Sequence, residues 1–309
     1  MITTVTMNAS LDKAYFMKEA IENGTVMRVG SCRTSAGGKG LNVARAAALC
    51  GAQVQATGLT GGFNGQQLEA LLDKDGIAHR FGHVEGETRC CINILDPAFG
   101  STEYLEPGFM VSPEEERKFM EMFPDIIRDS EVITISGSIP GGVDKNIYGK
   151  LISIAKEMGK AVLLDTSGES LKSGIKSCPT LVKPNQDEIE QLFGVQVHGM
   201  EEVISYAEKI KDMGIPYVVI SLGKDGALLV CEEGIFQGHP PKIKVVNTVG
   251  CGDSMVGAFA VAYERRFTAE EALKYAVAVA AANAMSEHTG DFDPKVCSEL
   301  SGQVVVERL

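Results

Sequence analysis

Asn247-Thr248-Val249-Gly250-Cys251-Gly252-Asp253-Ser254 stands immediately before an amphipathic helical stretch. Two glycines let the backbone turn its amides toward one point, and the positive end of the following helix adds to them, which makes a pocket for an anion. Asp253 sits beside that pocket. A carboxylate there repels a phosphate at rest, and accepting a proton from an attacking hydroxyl gives it a reason to be there. The other reading is that Asp253 and Ser254 only cap the helix, a role both residue types favour. Upstream, short apolar runs at 2-7, 53-59, 131-136, 161-165, 180-183 and 216-222 read as strands. Between them, apolar positions recur at helical spacing over 39-50, 64-75, 112-128, 144-158, 185-193 and 200-213. This repetition predicts an α/β fold with a mostly parallel central sheet flanked by helices.

Two stretches break the alternation. Residues 13-34 and 86-106 lack it, and in the second Thr88 to Asp96 and Ser101 to Leu105 look like antiparallel strands around a turn at Pro97. They predict a small antiparallel β lid outside the main sheet. Helices are expected over 253-265 and 269-287, and no linker or repeat divides the chain. The expectation is one α/β domain over 1-309 with lid segments at about 13-34 and 86-106.

Lys and Arg total 29 against 41 Asp and Glu, a net charge of -12 that repels phosphodiester backbones and excludes nucleic acid as a partner. An anionic substrate must then be met by placed basic groups, and Arg28, Lys39, Arg45, Arg89 and Lys183 are the candidates. The eight cysteines show no CxxC pair and no zinc spacing with histidine, which fits free thiols in a reducing cytoplasm. No basic leader precedes an apolar stretch and no run reaches membrane-span length, so a cytoplasmic protein without a membrane partner is expected.

Ala36-Gly37-Gly38-Lys39-Gly40-Leu41-Asn42 is a second glycine cluster opening a helix. It is not a P-loop, since Arg33 stands where the first glycine belongs and Gly40 follows the lysine. Gly37 and Gly38 would let sugar hydroxyls lie against the backbone, with Asn42 as donor and acceptor and Lys39 as a phosphate anchor, or the cluster is a plain helix start with a solvated lysine. At the end of the first strand, Asp12 either holds sugar hydroxyls or makes a turn. In Lys183-Pro184-Asn185-Gln186-Asp187-Glu188 the three-residue spacing of Asn185 and Glu188 suits a phosphate and magnesium pair, and equally a capping box. A nicotinamide dehydrogenase would share the alternation, but no GxGxxG run follows a strand.

These segments together resemble the ribokinase-like sugar kinases, the PfkB carbohydrate kinase family. Ala36 to Ala44 is similar to that family's first signature and Thr248 to Ser254 to its second. The resemblance implies a ribokinase-like three-layer fold, ATP and Mg²⁺ as cofactors, and a sugar kinase activity. It makes Asp253 the catalytic base, with the amides of Gly250, Cys251, Gly252 and Asp253 as anion hole. It places Lys183, Asn185, Ser221, Gly223, Gly226 and Asn283 at the nucleotide, Asn283 near the adenine, and Glu188 at the metal. Thr88-Arg89, Ser136 to Pro140 and Asp165-Thr166-Ser167-Gly168 resemble the phosphofructokinase and tagatose-6-phosphate kinase group. Members of that group take sugar phosphates. Fructose 1-phosphate or tagatose 6-phosphate is then the expected acceptor, with Lys39 and Arg89 clamping its phosphate and Asp12, Gly37, Gly38, Asn42 and Ser138 touching the sugar. The alternatives are a kinase for an unphosphorylated sugar or nucleoside, and a sensor without catalysis. Ala9, Cys251 and His288-Thr289-Gly290 depart from the group's pattern. Lid residues Tyr15, Phe16, Ile92, Ile94 and Tyr104 are expected to face outward and join two subunits into a homodimer.

Overall fold

Apolar residues that alternate between two faces build the centre of the molecule. The computed structural model describes residues 1-309. The chain begins with β1 (Ile2–Thr6), β2 (Ser10–Phe16), β3 (Ser31–Gly37), α1 (Lys39–Leu49), β4 (Val54–Thr60), α2 (Gly62–Lys74), β5 (Ala78–His79) and β6 (Gly82–His83). It continues through β7 (Arg89–Asp96), β8 (Gly100–Leu105), α3 (Pro113–Ile127), β9 (Val132–Ser136), α4 (Ile147–Glu157), β10 (Ala161–Asp165), α5 (Gly168–Ile175), β11 (Leu181–Val182), α6 (Gln186–Phe193) and α7 (Gly199–Asp212). It closes with β12 (Tyr217–Ser221), β13 (Ala227–Cys231), β14 (Gly234–His239), α8 (Cys251–Glu264), α9 (Ala269–Ala284), α10 (Pro294–Ser301) and β15 (Val305–Arg308).

The main sheet has the order β15-β14-β13-β12-β11-β10-β9-β1-β4-β5, with β6 also paired to β4. Strands β4, β1, β9, β10, β11 and β12 are the six expected from the apolar runs, and they pair in parallel. Beyond β12 the pairing turns antiparallel through β13, β14 and β15, an edge that apolar periodicity does not reveal because it marks a strand and not its direction. In β10, Ala161 and Leu163 face one core and Val162 and Leu164 the other; in β13, Leu229 and Leu228 divide in the same way. Helices α1, α8 and α9 cover the first face and α3, α4 and α7 the second, which gives the three layers.

Outside this body lies a four-stranded sheet in the order β3-β2-β7-β8. The expected hairpin of β7 and β8 is present, and its turn is held by the Asp96 carboxylate, which accepts the amides of Ala98 and Phe99 at 2.7 and 3.0 Å. Two corrections concern this lid. Its central pair, β2 with β7, is parallel, so the lid is mixed and not wholly antiparallel. Its first two strands extend past the expected 13-34 at both ends, because only three residues separate β1 from β2 and β3 runs on to Gly37 at the threshold of α1. A third correction follows from parity. Tyr15 pairs with Ile94 and Ile92 with Tyr104, all on the face opposite Asp12, whereas Phe16 has the parity of Asp12 and lines the cleft under the lid.

Candidate active site

The start of α8 is built as an anion receptor. Its cap position is Gly250 with φ 80° in the left-handed region, and no side chain caps the helix. A Cβ at Gly250 would approach Thr289 Cγ2 to 2.5 Å, so conformation and packing both demand glycine. The amides of Gly250, Gly252 and Asp253 have no acceptor within the protein, and they stand at the positive end of the helix. Neither Asp253 nor Ser254 fills the capping role. Asp253 Oδ2 accepts from Asn42 Nδ2 at 2.9 Å, and Ser254 Oγ donates to Asn283 Oδ1 at 3.1 Å.

Asp253 is only 6% exposed. Burial pushes its carboxyl up to about 6, with Asp165 adding to the rise, while the Lys39 ammonium, the Asn42 amide and Lys183 oppose it. Asn42 reaches it because α1 packs against α8. Arg45 Nη1 donates to Asn42 Oδ1 at 3.3 Å, which turns the amide so that its NH₂ faces Asp253. Asn42 lines the cleft, but both ends of its side chain already have protein partners.

At the carboxyl end of β10, Asp165 is 1% exposed and lies between two lysines, 3.7 Å from Lys39 Nζ and 3.3 Å from Lys183 Nζ. It holds the Lys39 ammonium more firmly protonated, with Asp253 and Glu188 adding to this. Its charge is the centre of a Lys39, Asp165, Lys183 chain that spans the floor of the cleft. Asp165 opens the Asp165 to Gly168 segment that carries the family resemblance, and its place at the end of a parallel strand is the signal in the sequence for a role at the site. Asn185 and Glu188 do form the capping box, with Glu188 N donating to Asn185 Oδ1 at 2.8 Å and Asn185 N to Glu188 Oε2 at 2.9 Å. The box leaves Glu188 Oε1 free, and burial raises the Glu188 carboxyl against the pull of Lys183 and Lys39.

Under the lid, Asp12 Oδ1 accepts from Ser10 Oγ at 2.6 Å. Burial raises its carboxyl, opposed by Ser10 and by Arg89. Gly37 lies directly against it: a Cβ there would come within 2.0 Å of Asp12 Cγ. Arg89 donates from Nε and Nη2 to the Asn8 carbonyl at 3.2 and 3.0 Å and from Nη1 to the Glu106 carbonyl at 3.2 Å. These neutral acceptors orient the guanidinium without cancelling its charge.

Asp12, Gly38, Lys39, Asn42, Arg89, Lys183, Asn185, Ser221, Gly250, Gly252 and Asp253 line one cleft of about 920 Å³ between the lid and the sheet. Other expected residues fall outside its lining. Ser138 is exposed at its margin beside Asn8, 3.4 Å from Asn8 Nδ2. Gly223 and Gly226 bound the one-turn 3₁₀ helix between β12 and β13, where the turn itself accounts for them. Cys251 has its thiol raised by burial and is poorly suited to be a nucleophile. The assignment of Asn283 to the adenine is corrected, since this residue is 0% exposed and its amide is bonded to protein groups. Lys39 and Arg89, expected as a joint phosphate clamp, line the same cleft from different supports: Lys39 pairs with Asp165 near Asp253, and Arg89 is held by the carbonyls of Asn8 and Glu106.

A three-layer α/β body, a β lid and a buried carboxylate beside an amide-lined helix start define a phosphoryl-transfer enzyme of the ribokinase-like class. The chain belongs to the PfkB family of carbohydrate kinases, whose model matches residues 5-296. It is 36% identical over 311 residues to a tagatose-6-phosphate kinase of Staphylococcus epidermidis, covering 99% of each chain. It is 32% identical over 309 residues to a 1-phosphofructokinase of Bacillus subtilis, covering 100% of both. Among solved structures, phosphofructokinase-2 from Escherichia coli in complex with substrates and products superposes with a TM-score of 0.92 at 30% identity, over 98% of each chain.

Proposed function

We propose that this protein transfers the γ-phosphoryl group of ATP to a hydroxyl of a ketohexose phosphate. The observation that carries the reading is Asp253: a buried carboxylate held near 6, within one helical turn of unpaired amides and inside a cleft that also presents Arg89 and Asp12. The acceptor hydroxyl lies against Asp253, which takes its proton as the oxygen attacks. The amides of Gly250, Gly252 and Asp253 receive the negative charge that develops on the transferring group. Arg89 holds the phosphate the sugar already carries, and Asp12 accepts from its hydroxyls. Lys39 and Lys183, held in place by Asp165, face the nucleotide phosphates.

Glu188 and Asn185 would hold a magnesium ion through its waters and the phosphates. The residues fit, since Glu188 keeps Oε1 free outside the capping box and sites of this kind use one or two carboxylates plus substrate oxygens. The ion offsets phosphate charge. No helix is long and apolar enough to cross a membrane, and all eight cysteines are free; we place the protein in the cytoplasm.

An ADP-release assay across fructose 1-phosphate, tagatose 6-phosphate, fructose 6-phosphate, fructose and adenosine tests the reading. Turnover is expected on ketohexose phosphates and at most weakly on the last two. Turnover confined to fructose or adenosine defeats it. The base also sets a pH dependence. Its folded value of about 6 means kcat/KM should be level above pH 7 and fall about tenfold per unit as pH drops through 6, as Asp253 takes up its proton. A profile flat down to pH 5 would remove Asp253 from the role.

The outer lid face of Tyr15, Ile92, Ile94 and Tyr104, the last 61% exposed, is proposed as the contact between two subunits. Light scattering should give about twice the 33.0 kDa chain mass. The Ile92→Asp, Ile94→Asp double variant should be monomeric with a raised sugar KM; a fully active wild-type monomer would overturn this contact.

A further inference from the structure

Asn283 spends its whole hydrogen-bonding capacity on the turn that opens α8. Its Oδ1 accepts from Ser254 Oγ at 3.1 Å and from the Gly290 amide at 2.8 Å. Its Nδ2 donates to the Val249 carbonyl at 3.0 Å and toward Cys251 Sγ at 3.3 Å. A carboxamide has two donor hydrogens and two acceptor sites, so nothing is left for a nucleotide. The partners belong to two separate pieces of chain, the 249-254 turn and the loop that ends at Gly290. Val249 precedes the left-handed Gly250, Cys251 and Ser254 form the first turn of α8, and Gly290 ends the loop whose Glu287, His288 and Thr289 line the cleft.

The bond to Val249 matters most. The Val249 carbonyl and the Gly250 amide are two ends of one planar trans peptide, so fixing the oxygen on one side fixes the N–H on the other. Gly250, free of a Cβ, would otherwise let that peptide rotate and present its carbonyl to the phosphate. We propose that Asn283 is a positioning residue for phosphoryl transfer: it orients the Val249–Gly250 peptide so that the amides at the start of α8 converge, and it ties the 287-290 loop to the same turn. The proposal rests on the reading of those amides as the anion hole.

Asn283→Asp tests it, because an oxygen in place of Nδ2 removes both donated bonds at nearly constant size. Losing a whole donor from such a hole costs about a hundredfold to a thousandfold, so misalignment should lower kcat about tenfold to a hundredfold, with both KM values within about twofold of wild type. Inhibition by ADP with aluminium fluoride, a mimic of the group in flight, should weaken by the same factor while inhibition by ADP alone does not change. Ser254→Ala, which loses a single bond to Asn283, should move kcat and fluoride inhibition in the same direction by severalfold, and it decides the matter if the aspartate variant does not fold. Wild-type kcat and fluoride inhibition in a folded variant would overturn the proposal, as would a rise in ATP KM alone. If aluminium fluoride adds nothing to ADP inhibition of the wild type, the anion-hole reading itself fails and the role of Asn283 falls with it.

Discussion

Asp253→Asn should fold, bind both substrates and lose kcat by about a thousandfold or more, because the amide matches the carboxylate in shape and cannot take the proton. The same variant has a second, opposite effect. In the folded state the Asp253 carboxyl is raised from 3.8 to about 6, so the folded protein binds this proton more tightly than the unfolded chain does. The stability it contributes is therefore present in full below about pH 4 and is lost as pH rises through 6. Asparagine carries no charge at any pH. The variant should melt a few degrees above wild type at pH 7.5 and level with it near pH 4. Turnover and thermal melts across pH measure both arms. Near-native turnover would reduce Asp253 to a structural residue, and a variant less stable at pH 7.5 would mean that its attraction to Lys39 outweighs its burial.

Arg89→Met should raise the KM for the sugar phosphate tenfold to a hundredfold and leave the ATP KM nearly alone. A lost charge-assisted contact costs about 1.5-3 kcal/mol, and each 1.4 kcal/mol is a factor of ten. The guanidinium is pre-aimed by the Asn8 and Glu106 carbonyls, so its full worth goes into the ligand and little is spent on ordering the side chain. Lys39→Met should behave differently despite its place in the same cleft. Lys39 lies with Asp165 and Asp253, so its loss should appear mainly in kcat and should also raise the pKa of the base, which its charge now holds down. Steady-state kinetics with each substrate varied separate the two. Equal losses for sugar and ATP in the Arg89 variant would count against an acceptor-phosphate site.

What could be read from sequence was local. The Gly250 turn, the βα alternation and the lid hairpin all announce themselves through glycines and periodicity within a few residues, and the parallel body follows from them, whereas cleft residues such as Ser221 came only from the family resemblance. What could not be read depends on which atoms meet. Asn283 has the right residue type and the right helix for contact with a base, yet neighbours at Val249 and Gly290 use up its amide. Lys39 was given a phosphate to hold, and the carboxylate that positions it, Asp165, lies on a strand 126 positions away. Phe16 was grouped with Tyr15 by adjacency, and in a strand adjacent residues point apart.

The lid is not a separate flap. Strand β3 ends at Gly37, the next residue is Gly38 with φ 104°, and the one after is Lys39, already in α1. A single glycine of positive φ is thus the joint between the four-stranded sheet that covers the cleft and the helix that carries Lys39 and Asn42. The covering sheet, the lysine beside Asp165 and the amide that donates to Asp253 at 2.9 Å are therefore strung on one short run of chain, with no loop between them to absorb a displacement.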